Sequence, residues 1–208
     1  IYVDDDANTG GDGLSWDTAF DNLQDAIDEI NNRDCYDKIY IAGGTYKPVE
    51  SVNVPNYEEE FFELSGDMAI IGHFAGDEQS PAERDLSDPN CETILQGKIG
   101  KDYRDAVEFI LKAEDADNIL LDGLTVTGAY DGAGLQLDNS NASIINCKFT
   151  DNDEEGIDVI HQGEIDIHNS TFFNNNGIQG YYVTLNISSC IFDGNDRSNS
   201  GIYVDNDN

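Results

Sequence analysis

The sequence predicts an all-β fold, a right-handed parallel β-helix (a solenoid) whose first coil is covered by an N-terminal amphipathic helix. Three observations lead to this prediction. From residue 118 onward, similar segments recur about every 22 residues, which is the spacing of one solenoid coil. Each segment contains short strand-like runs, and Gly, Asn and Asp separate these runs. One coil cannot bury its own apolar face, but stacked coils share a continuous core.

The repeat is visible when four segments are aligned: NILLDGLTVTG, NASIINCKFTD, EIDIHNSTFFN and TLNISSCIFDG. The alignment gives three columns of apolar or small residues, namely Leu121, Ile144, Ile167 and Ile187; Leu124, Cys147, Ser170 and Cys190; and Val126, Phe149, Phe172 and Phe192. Such columns face the inside of a solenoid, while the alternate polar residues face water. A further strand is predicted in each repeat at 134–137, 156–159, 180–183 and 201–204.

The chain is predicted to form one domain over residues 1–208. Residues 1–37 are the N-terminal strand and the capping helix, 38–117 are irregular first coils, and 118–208 are the regular coils. The helix is predicted over 15–30, where apolar residues recur at helical spacing behind a serine that suits an N-cap. A solenoid needs such a cover because the end of its core would otherwise meet water.

The four cysteines form neither a dense disulfide scaffold nor a CxxC zinc motif. Cys147 and Cys190 share a column, but the coil that carries Ser170 lies between them. Two coil spacings of about 4.8 Å each exceed the disulfide reach of roughly 7 Å. These two cysteines are therefore predicted to be small core residues, whereas a pair between Cys35 and Cys91 stays open.

The charge of the chain limits its partners. Forty-three acidic and ten basic residues give a formal net charge of -33. This charge repels phosphate backbones and anionic membrane surfaces, so nucleic acid is not an expected partner. No apolar run is long enough to span a bilayer, so membrane insertion is not expected either. The acidic surplus is neutralised by bound cations, calcium above all, or is simply hydrated.

Several ordered motifs in the first half of the chain resemble a known family. They are IYVDDDANTGGDGLSWDTAFDNLQDAI, KIYIAGGTYKP, FFELSGDMAIIGHFAGDEQSPAERDL and TILQGKIG. These motifs are similar to the start of bacterial secreted β-helix proteins of the pectin-lyase-like superfamily, such as polymorphic outer-membrane proteins. The resemblance implies a β-helix fold and an extracellular or cell-surface location. It leaves the activity open, because the superfamily mixes lyases, hydrolases, adhesins and structural proteins.

The sequence predicts no catalytic residue. A polysaccharide lyase needs a Lys or Arg base near a bound cation. In the regular coils only Lys148 and Arg197 are basic, and they fall on different coils at non-equivalent positions. A glycosidase needs two carboxylates that face each other, and the surplus of Asp offers too many pairs to choose from.

One polar constellation combines histidines with carboxylates. It consists of Asp158, His161, Asp166 and His168. Asp166 and His168 alternate with inward isoleucines, so they share the outward face of one strand. A metal or acid–base site is one interpretation. Ordinary surface polarity is the other, since outward positions of a solenoid are polar by default.

Two acidic loops are candidate calcium sites. The loop DNDEEG supplies Asp151, Asp153 and Glu155. The loop DDDANTGGDG supplies Asp4, Asp6, Asn8 and Asp12. The first loop has carboxylates at alternate positions followed by Gly, as in the first half of an EF-hand loop, but it lacks the final Glu of that motif. The alternative is turn chemistry, in which Asp, Asn and Gly are also expected.

Three functions follow from these observations. The first is a non-catalytic structural or adhesive β-helix of a bacterial cell surface or matrix, stabilised by calcium. The second is a polysaccharide lyase or glycosidase. The third is a glycan-binding module that uses Tyr182 and Tyr203, which the alignment places at outward positions of successive coils. The similar segments IYVDDDAN and GIYVDNDN at the two ends also predict head-to-tail self-association into a filament, or else a longer β-helix.

Overall fold

The chain winds into the right-handed parallel β-helix that the sequence predicts. The computed structural model describes residues 1–32, 37–48, 53, 56–195 and 201–206. The strands pair in parallel into three sheets, named A, B and C here, which contain seven, six and six strands. From β2 onward, each coil places one strand in sheet A, the next in sheet B and the next in sheet C, whereas β1 adds a further strand to sheet A.

The strands are short because each spans only one side of the coil. In chain order the first elements are β1 (Tyr2–Val3), α1 (Leu23–Asn32), β2 (Lys38–Ala42), β3 (Gly44–Tyr46), β4 (Phe62–Leu64), β5 (Ala69–Phe74), β6 (Thr93–Gln96), β7 (Leu111–Glu114), β8 (Ile119–Asp122) and β9 (Leu124–Thr127). They are followed by β10 (Leu135–Asp138), β11 (Ala142–Ile145), β12 (Lys148–Thr150), β13 (Ile157–Ile160), β14 (Gly163–His168), β15 (Thr171–Phe173), β16 (Ile178–Tyr181), β17 (Val183–Ser188), β18 (Ile191–Asp193) and β19 (Ile202–Asp205). Sheet A runs from β1 to β17, sheet B from β3 to β18 and sheet C from β4 to β19.

The predicted inward columns form the core. Ile144 pairs in register with Leu121 on one side and with Ile167 on the other, and Ile167 pairs with Ile187. The side chains of Leu121, Ile144 and Ile167 are at most 1% exposed. The column register that the sequence alignment predicts is therefore confirmed for sheet A.

The phenylalanine column of sheet B shows how regular the stack is. The rings of Phe149 and Phe172 lie 5.2 Å apart with 4° between their planes, and those of Phe172 and Phe192 lie 4.8 Å apart with 6°. These separations are close to the spacing of neighbouring strands, about 4.8 Å. The rings therefore form one continuous stack along the axis of the β-helix.

One predicted strand is out of register. The alignment stacks Tyr182 on Tyr203 by placing a strand at 180–183. In the structure Tyr203 lies opposite Gln179, and Tyr182 follows the end of β16. The predicted alignment of the two tyrosines is wrong because a second glycine, Gly180, imitates the glycine that precedes this strand in the other coils.

Left-handed backbone turns the chain at all three corners of the coil. A residue with positive φ directly follows the strand at each corner. These residues are Asp115, Asn139, His161 and Tyr182 after sheet C; Gly123, Asn146, Asn169 and Ser189 after sheet A; and Gly128, Asp151, Asn174 and Gly194 after sheet B. Gly, Asn and Asp adopt this conformation at the lowest cost. The corners therefore account for much of the Asn, Asp and Gly in the regular coils.

Helix α1 covers the first coil, but it is shorter than predicted. It begins after Asn22, whose Oδ1 accepts a hydrogen bond of 2.9 Å from the backbone N–H of Asp25, so Asn22 acts as the N-cap. The preceding residues, predicted as helix, form a short 3₁₀ turn at Trp16–Thr18 and a parallel bridge between Phe20 and Val3. The buried face of α1 joins the main core and consists of Leu23, Ala26, Ile27 and Ile30. Among the described residues, no helix is long and apolar enough to cross a membrane.

Long connections interrupt the first coils. The connection from β5 to β6 is held against the β-helix by Arg84, whose Nη2 lies 2.6 Å from Oδ2 of Asp122. The Arg84 side chain is 6% exposed, and its Nη1 also donates to the carbonyl oxygen of Gly72 at 2.7 Å. The connection from β6 to β7 returns to the coil through a bridge between Lys98 and Ala106.

The two ends of the β-helix differ. At the first coil the outer edge of β1 is occupied, because the N–H of Phe20 donates to the carbonyl of Tyr2 and the N–H of Asp4 donates to the carbonyl of Phe20. At the last coil Ile191 and Ile202 are 60% and 46% exposed. The similar segments at the two ends lie in different sheets, β1 in sheet A and β19 in sheet C. Head-to-tail self-association stays a prediction.

The cap can be tested with two identical substitutions. Leu23→Ala should lower the free energy of unfolding by about 2–5 kcal/mol, because Leu23 is 1% exposed and seals the end of the core. Leu14→Ala is the matched control, since Leu14 is 57% exposed and its loss should change stability by less than about 0.5 kcal/mol. Urea unfolding followed by circular dichroism measures both. Equal effects of the two variants would contradict the capping role.

Candidate functional site

A groove runs along the corner between sheets B and C, parallel to the axis of the β-helix. Its volume is about 570 Å³. Its floor begins at Gln96 in β6 and continues through Thr127 at the end of β9, Asp151 after β12 and Asn174 after β15. The connection from β6 to β7 forms one wall, from which Tyr103 projects. The groove therefore crosses four coils, or about 14 Å at 4.8 Å per coil.

A pair of tyrosines lines this groove. The rings of Tyr103 and Tyr130 lie 5.5 Å apart in an edge-to-face arrangement with 75° between their planes. Tyr103 is 61% exposed. The backbone N–H of Tyr130 donates to the carbonyl of Val107 at 3.0 Å, which ties the corner to the wall. Nε of Arg104 donates to the hydroxyl of Tyr103 at 2.9 Å. The pair thus presents aromatic surface beside a polar floor.

Three carboxylates converge at the rim of the groove. One oxygen each from Asp131, Asp153 and Glu154 lies within 4.8 Å of the others. Oδ2 of Asp153 also accepts a hydrogen bond of 3.4 Å from the N–H of Asp131, and Oε2 of Glu154 accepts one of 3.0 Å from Nδ2 of Asn176. Oxygen ligands of this kind suit a hard cation such as calcium, and they suit an ammonium group equally.

Of the three residues predicted for the first calcium loop, Asp153 belongs to this convergent group and the other two do not. Asp151 lines the groove, but its carboxylate accepts hydrogen bonds from Oγ1 of Thr150 at 2.9 Å and from Nδ2 of Asn174 at 2.5 Å. Glu155 is half-buried and is not among the residues that line the groove. A calcium site at Asp151, Asp153 and Glu155 therefore stays an untested prediction.

Within the described residues, the second predicted calcium loop does not form a convergent group of acidic side chains. Oδ1 of Asp12 accepts a hydrogen bond of 2.6 Å from Oγ1 of Thr18, and this bond holds the pKa of Asp12 below its usual value. Oδ1 of Asp4 accepts from the N–H of Asp6 at 3.1 Å, and Asn8 is exposed. These contacts are those of turn residues.

The predicted glycan-binding tyrosines lie away from the groove. Tyr182 occupies a corner of the coil and is 48% exposed. Tyr203 is 37% exposed, and its ring meets that of Tyr181 edge to face at 6.3 Å. A role of Tyr182 and Tyr203 in binding is not tested by this placement and stays a prediction.

Buried asparagines support the groove from below. Asn152 accepts a hydrogen bond from the N–H of Ala129 at 3.1 Å and donates to the carbonyl of Val126 at 3.2 Å. Asn175 and Asn195 occupy the same corner in the next coils and are also buried. These amides satisfy backbone groups that the turn would otherwise leave unpaired inside the protein. They therefore have a structural role at this corner of the coil.

The predicted polar constellation does not converge on one point. Its members are Asp158, His161, Asp166 and His168. Nδ1 of His161 lies 2.6 Å from Oδ1 of Asp138, and Nδ1 of His168 lies 2.9 Å from Oγ of Ser188. Asp166 and His168 do face outward from β14, as predicted. Their arrangement is that of separate surface pairs.

Asp158 and Glu155 are half-buried carboxyl groups outside the groove. Asp158 lies in register between Gln136 and Gln179 on sheet C. Burial raises the pKa of Asp158, and within the described part of the chain its Oδ1 has no hydrogen-bond partner. Burial also raises the pKa of Glu155, and the neighbouring Asp158 charge adds to this effect. Both groups therefore hold a proton more readily than ordinary carboxyl groups.

The thiols of Cys91 and Cys147 are poor nucleophiles, because a raised pKa keeps them protonated. Burial raises the pKa of Cys147 to about 12 and also raises the pKa of Cys91. Cys190 is partly buried against the core. In the described part of the chain, these three cysteines form no disulfide with one another. Cys35, the predicted partner of Cys91, lies outside the described residues.

Sequence reasoning did not find the tyrosine pair or Asp131. Tyr103 lies in an irregular connection, where no repeat predicts its position. Tyr130 and Asp131 follow the corner after β9, one coil before Asp153. The column register that predicts the core also places these two residues beside Asp153. An alignment of the repeats that included the corner residues after the strands would therefore have placed Asp131 beside Asp153.

Comparison with known proteins agrees with the fold. Residues 102–196 match the family model of right-handed β-helix regions, which covers most of the regular coils. The match and the three parallel sheets together support membership of these coils in the β-helix class. No curated protein and no solved structure matches the chain. A β-helix match identifies an architecture and not an activity.

The pKa of Asp158 predicts a specific pH dependence. The pKa of Asp158 is raised in the folded chain, so the folded chain binds this proton more tightly than the unfolded chain does. Protonation of Asp158 therefore stabilises the fold, and this stabilisation is complete below the ordinary carboxyl pKa, about 4. It is lost as the pH rises through the raised value. Asp158→Asn should therefore be more stable than the wild type at neutral pH, and the difference should shrink towards pH 4. Urea unfolding at several pH values measures it.

Asp12→Asn serves as the control with the opposite sign. The pKa of Asp12 is lowered, so its contribution is present at neutral pH and is lost on acidification. This variant should be less stable than the wild type at neutral pH. A pH-independent difference between Asp158→Asn and the wild type would contradict a buried, proton-binding Asp158.

Proposed function

We propose that this chain is part of an extracellular, non-catalytic β-helix of a bacterial surface or matrix, and that it adheres to polysaccharide through the axial groove. The observation that carries the proposal is the groove itself, where the Tyr103–Tyr130 pair meets a floor of amide, hydroxyl and carboxylate groups. The apolar faces of sugar rings pack on aromatic rings, and amide and hydroxyl side chains bond to sugar hydroxyls. The resemblance to bacterial secreted β-helix proteins supports the extracellular location.

The shape of the groove favours a polymer over a small ligand. The groove lies along the axis and spans coils from Gln96 to Asn174. Its floor consists of the ends of successive strands, so the same kind of contact recurs about every 4.8 Å. A linear polysaccharide also repeats along its length. The inner part of such a chain is therefore the ligand that fits this groove.

A binding role is preferred to a catalytic one because of where the carboxyl groups lie. Cleavage of a glycosidic bond uses a carboxyl group that keeps its proton near neutral pH. Asp158 and Glu155, the half-buried carboxyl groups with a raised pKa, do not line the groove. A polysaccharide lyase or glycosidase remains the alternative, and it is distinguished by release of products.

Calcium and self-association complete the proposal. The -33 charge and the convergence of Asp131, Asp153 and Glu154 support calcium as a stabilising counter-ion. The exposed side chains of Ile191 in β18 and Ile202 in β19 support head-to-tail self-association, because burial of apolar surface drives contact between chains.

The adhesive role predicts which tyrosine pair binds. Tyr103→Ala/Tyr130→Ala should abolish retardation of the protein in gels that contain the polysaccharide ligand, because the stacking surface is removed. Tyr182→Ala/Tyr203→Ala is the matched control and should behave as the wild type. Affinity electrophoresis across neutral, acidic and amino polysaccharides measures both, and circular dichroism confirms that the variants are folded.

The other outcomes are equally informative. Retardation lost only in Tyr182→Ala/Tyr203→Ala would move the site to the last coils. Release of unsaturated or reducing sugars from any of these polymers would establish the enzymatic alternative. Failure of the wild type to bind any polysaccharide would refute the adhesive role.

Sedimentation velocity tests the assembly. With millimolar calcium the wild type should form larger species, and a chelator should reverse this, because calcium screens the repulsion between two acidic chains. Ile191→Ser/Ile202→Ser should remain monomeric in calcium. Leu86→Ala, which changes an exposed leucine in the connection from β5 to β6, should still assemble. A wild type that is monomeric under every condition would refute self-association.

A further inference from the structure

Tyr103 lies in a tight turn of the connection from β6 to β7. The N–H groups of Ile99 and Gly100 both donate to the carbonyl of Asp105, at 2.7 and 3.1 Å. The carboxylate of Asp105 in turn accepts a hydrogen bond of 2.9 Å from the N–H of Asp102. These bonds fix the backbone on both sides of Tyr103, whereas its side chain is 61% exposed. The orientation of the ring therefore depends on the side chains that touch it.

The side chains of Arg104 and Tyr130 hold the Tyr103 ring. The guanidinium carbon of Arg104 lies over the face of the ring, 5.2 Å from its centroid, and Nε of Arg104 donates to the hydroxyl at 2.9 Å. The ring of Tyr130 meets that of Tyr103 edge to face, with 5.5 Å between the centroids. Both tyrosines line the groove, and Arg104 is not among the residues that line it. An effect of the guanidinium on a ligand therefore passes through the ring that it holds.

The partner of Arg104 is notable in so acidic a chain. Ten basic residues are surrounded by forty-three acidic ones. Lys38, Arg84 and Lys148 each form an ion pair with a carboxylate. In the described part of the chain, the guanidinium of Arg104 contacts a ring face and a phenol oxygen instead. A guanidinium suits this contact because its flat surface stacks on the ring while its N–H groups donate, which an ammonium group cannot do.

We infer that Arg104 is a positioning residue of the groove, which fixes the Tyr103 ring against Tyr130 in the orientation that packs on a sugar. This inference rests on the proposed polysaccharide binding. A side chain that is already held in its binding orientation loses little rotamer freedom when the ligand arrives, and this raises affinity. Without Arg104, the exposed ring would sample several rotamers, and the loss of that freedom would oppose binding.

Affinity electrophoresis of the full chain tests this role. The probes are hydroxyethylcellulose, polygalacturonate and glycol chitosan, and dissociation constants are measured in the gel that retards the wild type most. Arg104→Ala should raise the dissociation constant about three- to tenfold, because an exposed cation–π contact and one hydrogen bond no longer fix the ring. Lys101→Ala is the charge-matched control. It removes one positive charge from an exposed position of the same connection and should bind as the wild type does.

Two further variants separate position from charge and from direct contact. Arg104→Lys keeps the charge but cannot stack and donate together, so it should stay at least about twofold weaker than the wild type. Tyr103→Leu keeps apolar surface and removes the ring. In the Tyr103→Leu background, Arg104→Ala should change the dissociation constant by less than about twofold, because a residue that acts through the ring has no effect once the ring is gone.

Nuclear magnetic resonance of the tyrosine rings checks the positioning without a ligand. Arg104→Ala should shift the ring resonances of Tyr130, because the edge-to-face contact with Tyr103 is no longer held. Lys101→Ala should leave them unchanged, and circular dichroism confirms that each variant is folded. Unshifted Tyr130 resonances in Arg104→Ala would overturn the inference whether or not a polysaccharide binds.

The binding measurements can fail in ways that separate the two proposals. Wild-type affinity in Arg104→Ala or Arg104→Lys would overturn the positioning role. An equal loss in Lys101→Ala, or an undiminished effect of Arg104→Ala in the Tyr103→Leu background, would assign the effect to charge or to direct contact and would also overturn it. Each of these results leaves polysaccharide binding intact. Absence of retardation of the wild type in all three gels would instead count against the proposed function itself.

Discussion

The hydrogen bonding between successive parallel strands is the constraint on which the rest of the structure depends. Each residue of a strand is fixed beside its equivalent one coil away, as Phe172 is fixed between Phe149 and Phe192. The residue at each strand position therefore has to be compatible with the equivalent residue of the next coil. Apolar residues form inward columns and polar residues form outward ones, so the residue that suits a strand position depends on the neighbouring coils as well as on its own coil.

The same constraint explains how the chain tolerates so many acidic residues. Outward columns would stack like charges about 4.8 Å apart, but asparagines interleave with the aspartates. Nδ2 of Asn139 donates to Asp115 and that of Asn174 donates to Asp151, each one coil away. A neutral donor between carboxylates replaces a repulsion with a hydrogen bond. The Asn content thus serves the charge pattern as well as the left-handed corners.

The part of the fold that could be predicted is the part that this register governs. The inward columns were read from the sequence because Ile144 and its equivalents recur at a fixed spacing. The strand at 180–183 was misplaced because Gly180 competes with Gly177 as the marker of the same position, and a local pattern cannot decide between them. The start of α1 and the position of Tyr103 escaped prediction because they depend on tertiary contacts in segments without a repeat.

The groove lies where the regular coils meet a segment without a repeat. Its floor belongs to the regular coils, where buried asparagines such as Asn152 hold each corner in the same shape. Its wall belongs to the long connection after β6, which docks on the corner through the bond from Tyr130 N–H to the Val107 carbonyl. A perfectly regular solenoid would present only a flat ladder at this corner. The interruption of the repeat creates the concave surface, so in this protein the regular sequence specifies the scaffold and its irregular insertion specifies the position of the groove.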